Sequence, residues 1–147
     1  MSAEARVVEP VLDHAAAERA RLANAARARL LRSGTAVSVE VIADAVGKDP
    51  ATVRRWVARH RAAGRLATVT HDRQTLVPTA QLDDAFGLDD DAAALVQRLV
   101  EAGLDGWAIW HWLETANTWL DGDAPAERLA AGDAVGPLRA ARGLLQQ

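Results

Sequence analysis

The chain has no cysteine, no tyrosine, one phenylalanine (Phe86) and one lysine (Lys48). Without cysteine there are no disulfides, no thiol chemistry and no cysteine–zinc sites. No apolar run approaches the roughly 18 residues that a membrane span needs. The opening MSAEARVVEP offers no apolar stretch that would serve as a signal peptide. The expectation is a cytoplasmic protein with no membrane partner. The near-absence of lysine among 17 basic residues, beside abundant alanine, reads first as the codon composition of a GC-rich genome.

What is present is the balance of a soluble globular protein. The 147 residues are 50% apolar and 25% charged, enough for one ordinary domain or two small ones. The net charge of −3 conceals a division. Residues 1–80 carry 13 Lys/Arg against 8 Asp/Glu, a net +5, and residues 81–147 carry 4 against 12, a net −8. This predicts a basic domain over 1–80 that meets a polyanion and an acidic domain over 81–147 with another task. The aromatics divide too: four of the five tryptophans fall in WAIWHWLETANTWL, residues 107–120.

In the basic half, Ala15–Arg32 is rich in strong helix formers, with Leu22, Ala26 and Leu30 forming one stripe and Ser33-Gly34 ending it. SVEVIADAVGKDPATVRRWVARHRAAGRL follows. Ser38 is placed to cap a first helix with Val41, Ile42, Ala45 and Val46 inward, and Gly47 turns the chain. Asp49-Pro50 opens a second helix with Val53, Trp56 and Val57 inward and His60 beside them. Thr52, Arg54, Arg55, Arg59 and Arg61 take the opposite side. Two short helices about a glycine turn are the arrangement in which the second helix enters the major groove. A solvated arginine face on an ordinary helical hairpin is the alternative. Trp56 reads as core and not as a stacking platform. LATVTHDRQTLVP then predicts strands over Leu66–Thr70 and Gln74–Val77, with His71, Asp72 and Arg73 at the turn.

In the acidic half, Thr79–Gly87 reads as a short helix or turn. Asp90 or Asp91 would cap a helix bearing Leu95, Val96, Leu99 and Val100, ended by Gly103. The aspartate run lacks the alternating ligands of a calcium loop. Asp105 caps a tryptophan helix that is apolar around most of its circumference, which predicts burial on more than one side. His111 and Glu114 are three apart, too few for a metal site. Asp123 with Pro125 would open a short helix ended by Gly132, and Asp133 the last one. No metal or cofactor is expected. Nor is an enzyme, since no nucleophile–base set, carboxylate pair or phosphate loop is visible.

Two resemblances follow from these residues. Ala43, Gly47, Val53 and Trp56 resemble the bacterial helix-turn-helix pattern, and a hairpin directly after the second helix resembles the wing of winged-helix regulators. The set Asn117-x-x-Leu120-x-Gly122-x-x-Pro125-x-Glu127-x-Leu129-x-x-Gly132, within residues 92–145, resembles the toxin-binding domain of the Xre/MbcA/ParS antitoxin family. That resemblance implies an antitoxin that neutralises a RES-domain toxin, an enzyme that consumes NAD, and represses its own operon. The family's N-terminal unit is all-helical and Cro-like, whereas residues 38–80 look winged. In this the chain resembles small actinobacterial regulators that carry a similar C-terminal domain without a recognised toxin.

The expectation is therefore a mainly α protein: a winged helix-turn-helix with one β-hairpin, followed by a small all-helical domain. Lys48, Thr52, Arg54, Arg55, Arg59, Arg61 and Arg73 would contact double-stranded DNA. Asn117, Trp119 and Leu120 would contact the toxin, with Trp119 as anchor while Trp110 and Trp112 fill the core. A homodimer is the expected assembly. The competing reading is a stand-alone regulator whose C-terminal domain dimerises.

Overall fold

The computed structural model describes residues 3–146, with side chains from residue 13 onward. Seven α-helices and a three-stranded antiparallel sheet appear among the described residues, so the fold is mainly α. Two compact units are present: the first 33 residues, and residues 34–147. The first is the single helix α1 (Ala3–Arg32), whose last turn carries Arg29 and Arg32 against its negative dipole end. Leu22, in the stripe read from sequence, is exposed.

The second unit opens with β1 (Ala36–Ser38), a strand that the sequence pattern did not announce. Ser38 then caps α2 (Val39–Val46), its hydroxyl accepting from the Val41 amide at 3.2 Å. The buried face of α2 is Val39, Ile42 and Ala43. Val41, expected inside, is 48% exposed, and Ala45 is exposed as well. The stripe is rotated because β1 runs straight into the helix, which carries Val39 inward in its first turn. Gly47 ends α2 at φ 69°, a left-handed conformation that costs glycine little. Asp49 caps α3 (Pro50–Ala62) with Pro50 in its first turn, as the sequence indicated.

After α3 the sequence predicted a strand from Leu66, but β2 is only Val69–His71, paired with β3 (Gln74–Pro78). Leu66 and Ala67 are buried, and Ala67 hydrogen-bonds to a side chain instead of a strand. The buried Gln81 amide accepts from the Ala67 N–H at 2.7 Å and donates to the Ala67 and Pro78 carbonyls at 2.9 and 3.2 Å. One side chain thus satisfies backbone groups that would otherwise be buried unpaired. β3 is the central strand, with Ala36 opposite Pro78 on one edge and Val69 opposite Leu76 on the other.

The remaining helices are α4 (Asp90–Glu101), α5 (Gly106–Glu114), α6 (Pro125–Ala130) and α7 (Val135–Leu145). The cap of α4 is Asp89, not Asp90 or Asp91, through a 2.9 Å bond from the Ala92 amide. α6 is capped at Ala124, not Asp123; its amide donates to the Glu127 carboxylate at 3.1 Å.

Two apolar clusters hold this unit together. Val39, Ile42, Val53, Val57, Leu66 and Val77 form one, and Ala67, Leu95, Val96, Leu99, Ile109 and Leu113 the other. Trp110 is 1% exposed, stacks on Trp107 at 5.7 Å, and donates from its indole nitrogen to the Thr35 hydroxyl at 2.9 Å. The expected burial of Trp110 is present, whereas Trp112 is only half-buried. At the start of α5, a Cβ on Gly106 would lie 1.9 Å from the Thr68 carbonyl oxygen, so only glycine allows that approach.

Candidate functional site

α3 presents its candidate residues in two rows. Thr52, Arg55 and Arg59 follow helical spacing on one side and, with Lys48 from the preceding turn, line a cleft beside Phe86. Arg54 and Arg61 fall on the other side, along a shallow groove shared with Thr68 and Thr75 of the hairpin region. All six side chains are exposed. Arg73 lines neither groove and stands at the hairpin turn.

Most of this charge is unpaired. Among the described residues, Lys48, Arg55, Arg59, Arg61 and Arg73 make no ion pair. Arg54 reaches Glu40 at 3.5 Å with both side chains more than half exposed, a contact that adds little stability. His60 stacks edge-on against Trp56 at 5.0 Å, and its pKa is lowered by burial and by the cations Arg59 and Arg65. Burial and the two cations thus favour the neutral form of this imidazole. Trp56, read from sequence as core, is half-buried and forms part of the cleft wall.

The hairpin turn is a two-residue turn with positive φ at both Asp72 (48°) and Arg73 (65°). That geometry suits paired strands but favours asparagine or glycine, and an arginine there holds a conformation costing roughly 1–2 kcal/mol. His71, the other turn candidate, lies 3.3 Å from the Asp72 carboxylate.

At the other candidate site the three residues part company. Asn117 is a structural cap: its side chain accepts from the Trp119 amide at 2.9 Å, and its carbonyl accepts from Leu120 and Gly122 at 3.0 Å. Leu120, expected to contact a partner, is 1% exposed and belongs to the core, because the 3-10 turn Thr118–Leu120 points it inward against α7. Trp119 is 62% exposed, with its ring over Gly143 of α7; a Cβ there would come within 2.6 Å of the ring.

Arg128, which sequence reasoning passed over, organises this loop. It donates to Asp123 at 2.8 Å, to Asp133 at 3.1 Å and to the Leu120 carbonyl at 2.9 Å. The hydrogen bonds to Asp123 and Asp133 raise its pKa further, and the Gly136 amide together with Arg128 lowers that of Asp133. The only sequence signal for this hub was one arginine among closely spaced aspartates. No group of three metal-ligating side chains comes together among the described residues.

No protein-family model matches the chain, and no curated protein matches it. A solved structure does: the NMR structure of Rv2175c, at 19% identity and a TM-score of 0.61, over 75% of this chain and 80% of that one. At that identity the likeness speaks for a shared fold.

Proposed function

We propose that the protein binds duplex DNA, with α2 and α3 acting as a helix-turn-helix, α3 in the major groove and the β2–β3 hairpin as a wing. The observation that carries this is that Arg55, Arg59 and Arg61 of α3 have no ion-pair partner among the described residues, while Arg54 has only an exposed contact with Glu40. Cations without carboxylate partners on a chain that is acidic overall are free to replace the counterions of a phosphate backbone. The strained turn at Arg73 supports a wing that extends a cation toward phosphate or the minor groove, since retained strain is commonest where a side chain has a task. A gel-shift series tests this. Replacing Arg54, Arg55 and Arg59 singly by alanine costs about 1–3 kcal/mol each in binding, and affinity falls steeply as salt rises. Unchanged affinity in the triple variant would exclude α3 as the reading element.

For the C-terminal region the proposal is an antitoxin that neutralises a RES-domain toxin and represses its own operon, with Trp119 as the anchor. An exposed tryptophan packed against a glycine is a contact of the kind that dominates interfaces. Trp119→Ala then leaves the melt and operator binding nearly unchanged and weakens protection in a co-expression growth assay with the toxin. One observation favours the second reading, a stand-alone regulator. Asn117, Leu120 and Glu127 of the antitoxin-like run all have internal structural roles, so the run alone requires no partner. Full protection by a Trp119→Ala variant that melts normally would exclude Trp119 as the anchor, whereas a parent chain that gives no protection would decide for the second reading.

A further inference from the structure

The cleft beside α3 is more than a stretch of DNA-facing surface. It encloses about 370 Å³, within the range of small-molecule sites. Its floor is apolar, formed by Ile42, Val46, Val53 and Leu88, and its walls include two aromatic rings, Trp56 and the chain's only phenylalanine, Phe86. Its rim is cationic, with Lys48, Arg55 and Arg59, and no carboxylate is among the described residues that line it.

The far wall is a deliberate construction. Leu82 and Leu88 pair as an antiparallel bridge, and the Asp83 carboxylate accepts from the Ala85 and Gly87 amides at 2.9 and 2.8 Å. At the apex Phe86 is held at φ 61°, a left-handed conformation rare for an aromatic residue. A loop that sought only stability would carry glycine or asparagine there. Opposite that wall, Trp56 meets the His60 ring edge-on.

We propose that this cleft binds a small aromatic acid, its ring against Trp56 and Phe86 and its carboxylate on the guanidinium groups of Arg55 and Arg59. Charge complementarity selects an anion, because three cations with no ion-pair partner among the described residues surround an apolar floor. The planar forks of arginine match a carboxylate in two hydrogen bonds, and paired rings favour a flat hydrocarbon over a bulky one. Arg55 and Arg59 also belong to the proposed DNA surface, so a bound acid competes with phosphate for the same cations. That regulatory consequence rests on the DNA-binding reading; the ligand site does not.

The test is calorimetric titration of the full chain with 1-naphthoate and, separately, with its uncharged analogue 1-naphthalenemethanol. Saturable one-site binding of the acid is expected, weaker by about 10-fold or more for the alcohol and by a similar factor in Arg59→Gln. Phe86→Ala weakens both compounds, and a circular dichroism melt of each variant reports whether it folds. Nitrogen-15 spectra supply an independent reading: the Trp56 indole signal shifts on titration and that of Trp110 does not. Absent saturation, equal affinity for acid and alcohol, or unchanged affinity in folded Arg59→Gln each overturns the assignment. The same naphthoate is then added to a gel shift with duplex DNA. A protein that takes up naphthoate but binds no duplex supports the pocket and overturns the DNA reading; one that binds duplex but no naphthoate does the reverse.

Discussion

Arginine is put to opposite uses on α3 and on α6. On α3 the guanidinium groups of Arg55, Arg59 and Arg61 stand in solvent without an ion pair, and Arg54 has only a long, exposed contact. On α6, Arg128 is held by Asp123, Asp133 and the Leu120 carbonyl, with the Asp121 carboxylate 4.0 Å from its guanidinium. The first arrangement leaves charge without a partner in the fold; the second uses charge to tie α6 to the turn that precedes it and to the start of the segment that follows. The lesson concerns the +5 and −8 halves of the sequence. Much of the acidic excess is structural: Asp89 and Asp105 cap helices, and Asp123 and Asp133 bind Arg128. Part of the acidic count therefore has internal structural partners, whereas Lys48, Arg55, Arg59, Arg61 and Arg73 have no carboxylate partner among the described residues.

The largest expected effect bears on whether the two regions share one frame. Trp110 carries the link, buried in α5 and donating to Thr35 just before β1. Trp110→Ala removes a buried ring, at about 3–5 kcal/mol, and leaves the Thr35 hydroxyl without that donor. One cooperative transition at a much lower temperature is expected when the melt is followed by both far- and near-ultraviolet circular dichroism. Two separated transitions would divide residues 34–147 into independent halves and weaken the comparison.

The next effect sets the two kinds of arginine side by side. Replacing Arg54, Arg55 and Arg59 together by alanine should leave folding stability within about 0.5 kcal/mol per site, since exposed unpaired side chains contribute little. Arg128→Ala should lower the melting temperature clearly, because it leaves two carboxylates and a carbonyl facing one another. DNA affinity should move the other way: lost in the triple variant, kept in Arg128→Ala. A triple variant that melts far below the parent would mean that the α3 arginines hold the fold.

The parts legible in the sequence were those set by local chemistry. Ser38, Gly47, Asp49-Pro50 and Asp105 announce helix ends through capping and backbone geometry, and each stands where those rules put it. The exposed row from Thr52 to Arg61 followed from helical spacing alone. What stayed hidden depends on contacts distant in sequence. β1 is three residues long and exists because β3 lies beside it. Gln81 in place of a strand partner, and Arg128 among its aspartates, carry no periodic signal. Leu120 was misread for a related reason: its place in a motif suggested contact outward, whereas the turn around Asn117 directs it into the core. Phe86 falls in the stretch Thr79–Gly87, which the sequence marks as a short helix or turn, but nothing local signals its left-handed backbone.

The smallest effect concerns an acidic residue that is neither a cap nor an Arg128 ligand. Glu114, at the end of α5, has its pKa raised from 4.5, first by burial and then by the nearby carboxylate of Glu127. A raised folded-state pKa means that the folded protein holds this proton more tightly than the unfolded chain. The stability from Glu114 is thus fully present below pH 4.5 and lost as pH rises through the folded-state value, when a half-buried carboxylate must ionise beside another. Asp133 acts in the opposite sense: its lowered pKa adds stability above the ordinary 3.8, lost as pH falls through the folded-state value. Glu114→Gln keeps the shape and removes the charge, so it should raise the melting temperature slightly at pH 7 and leave it unchanged near pH 4. Melts of parent and variant at both pH values measure this directly. An equal gain at both would show that the carboxylate is unfavourable for reasons other than charge. A loss at pH 7 would show that the ionised group serves the loop, as Asp123 and Asp133 do, and would extend the charge-closed turn back to the end of α5.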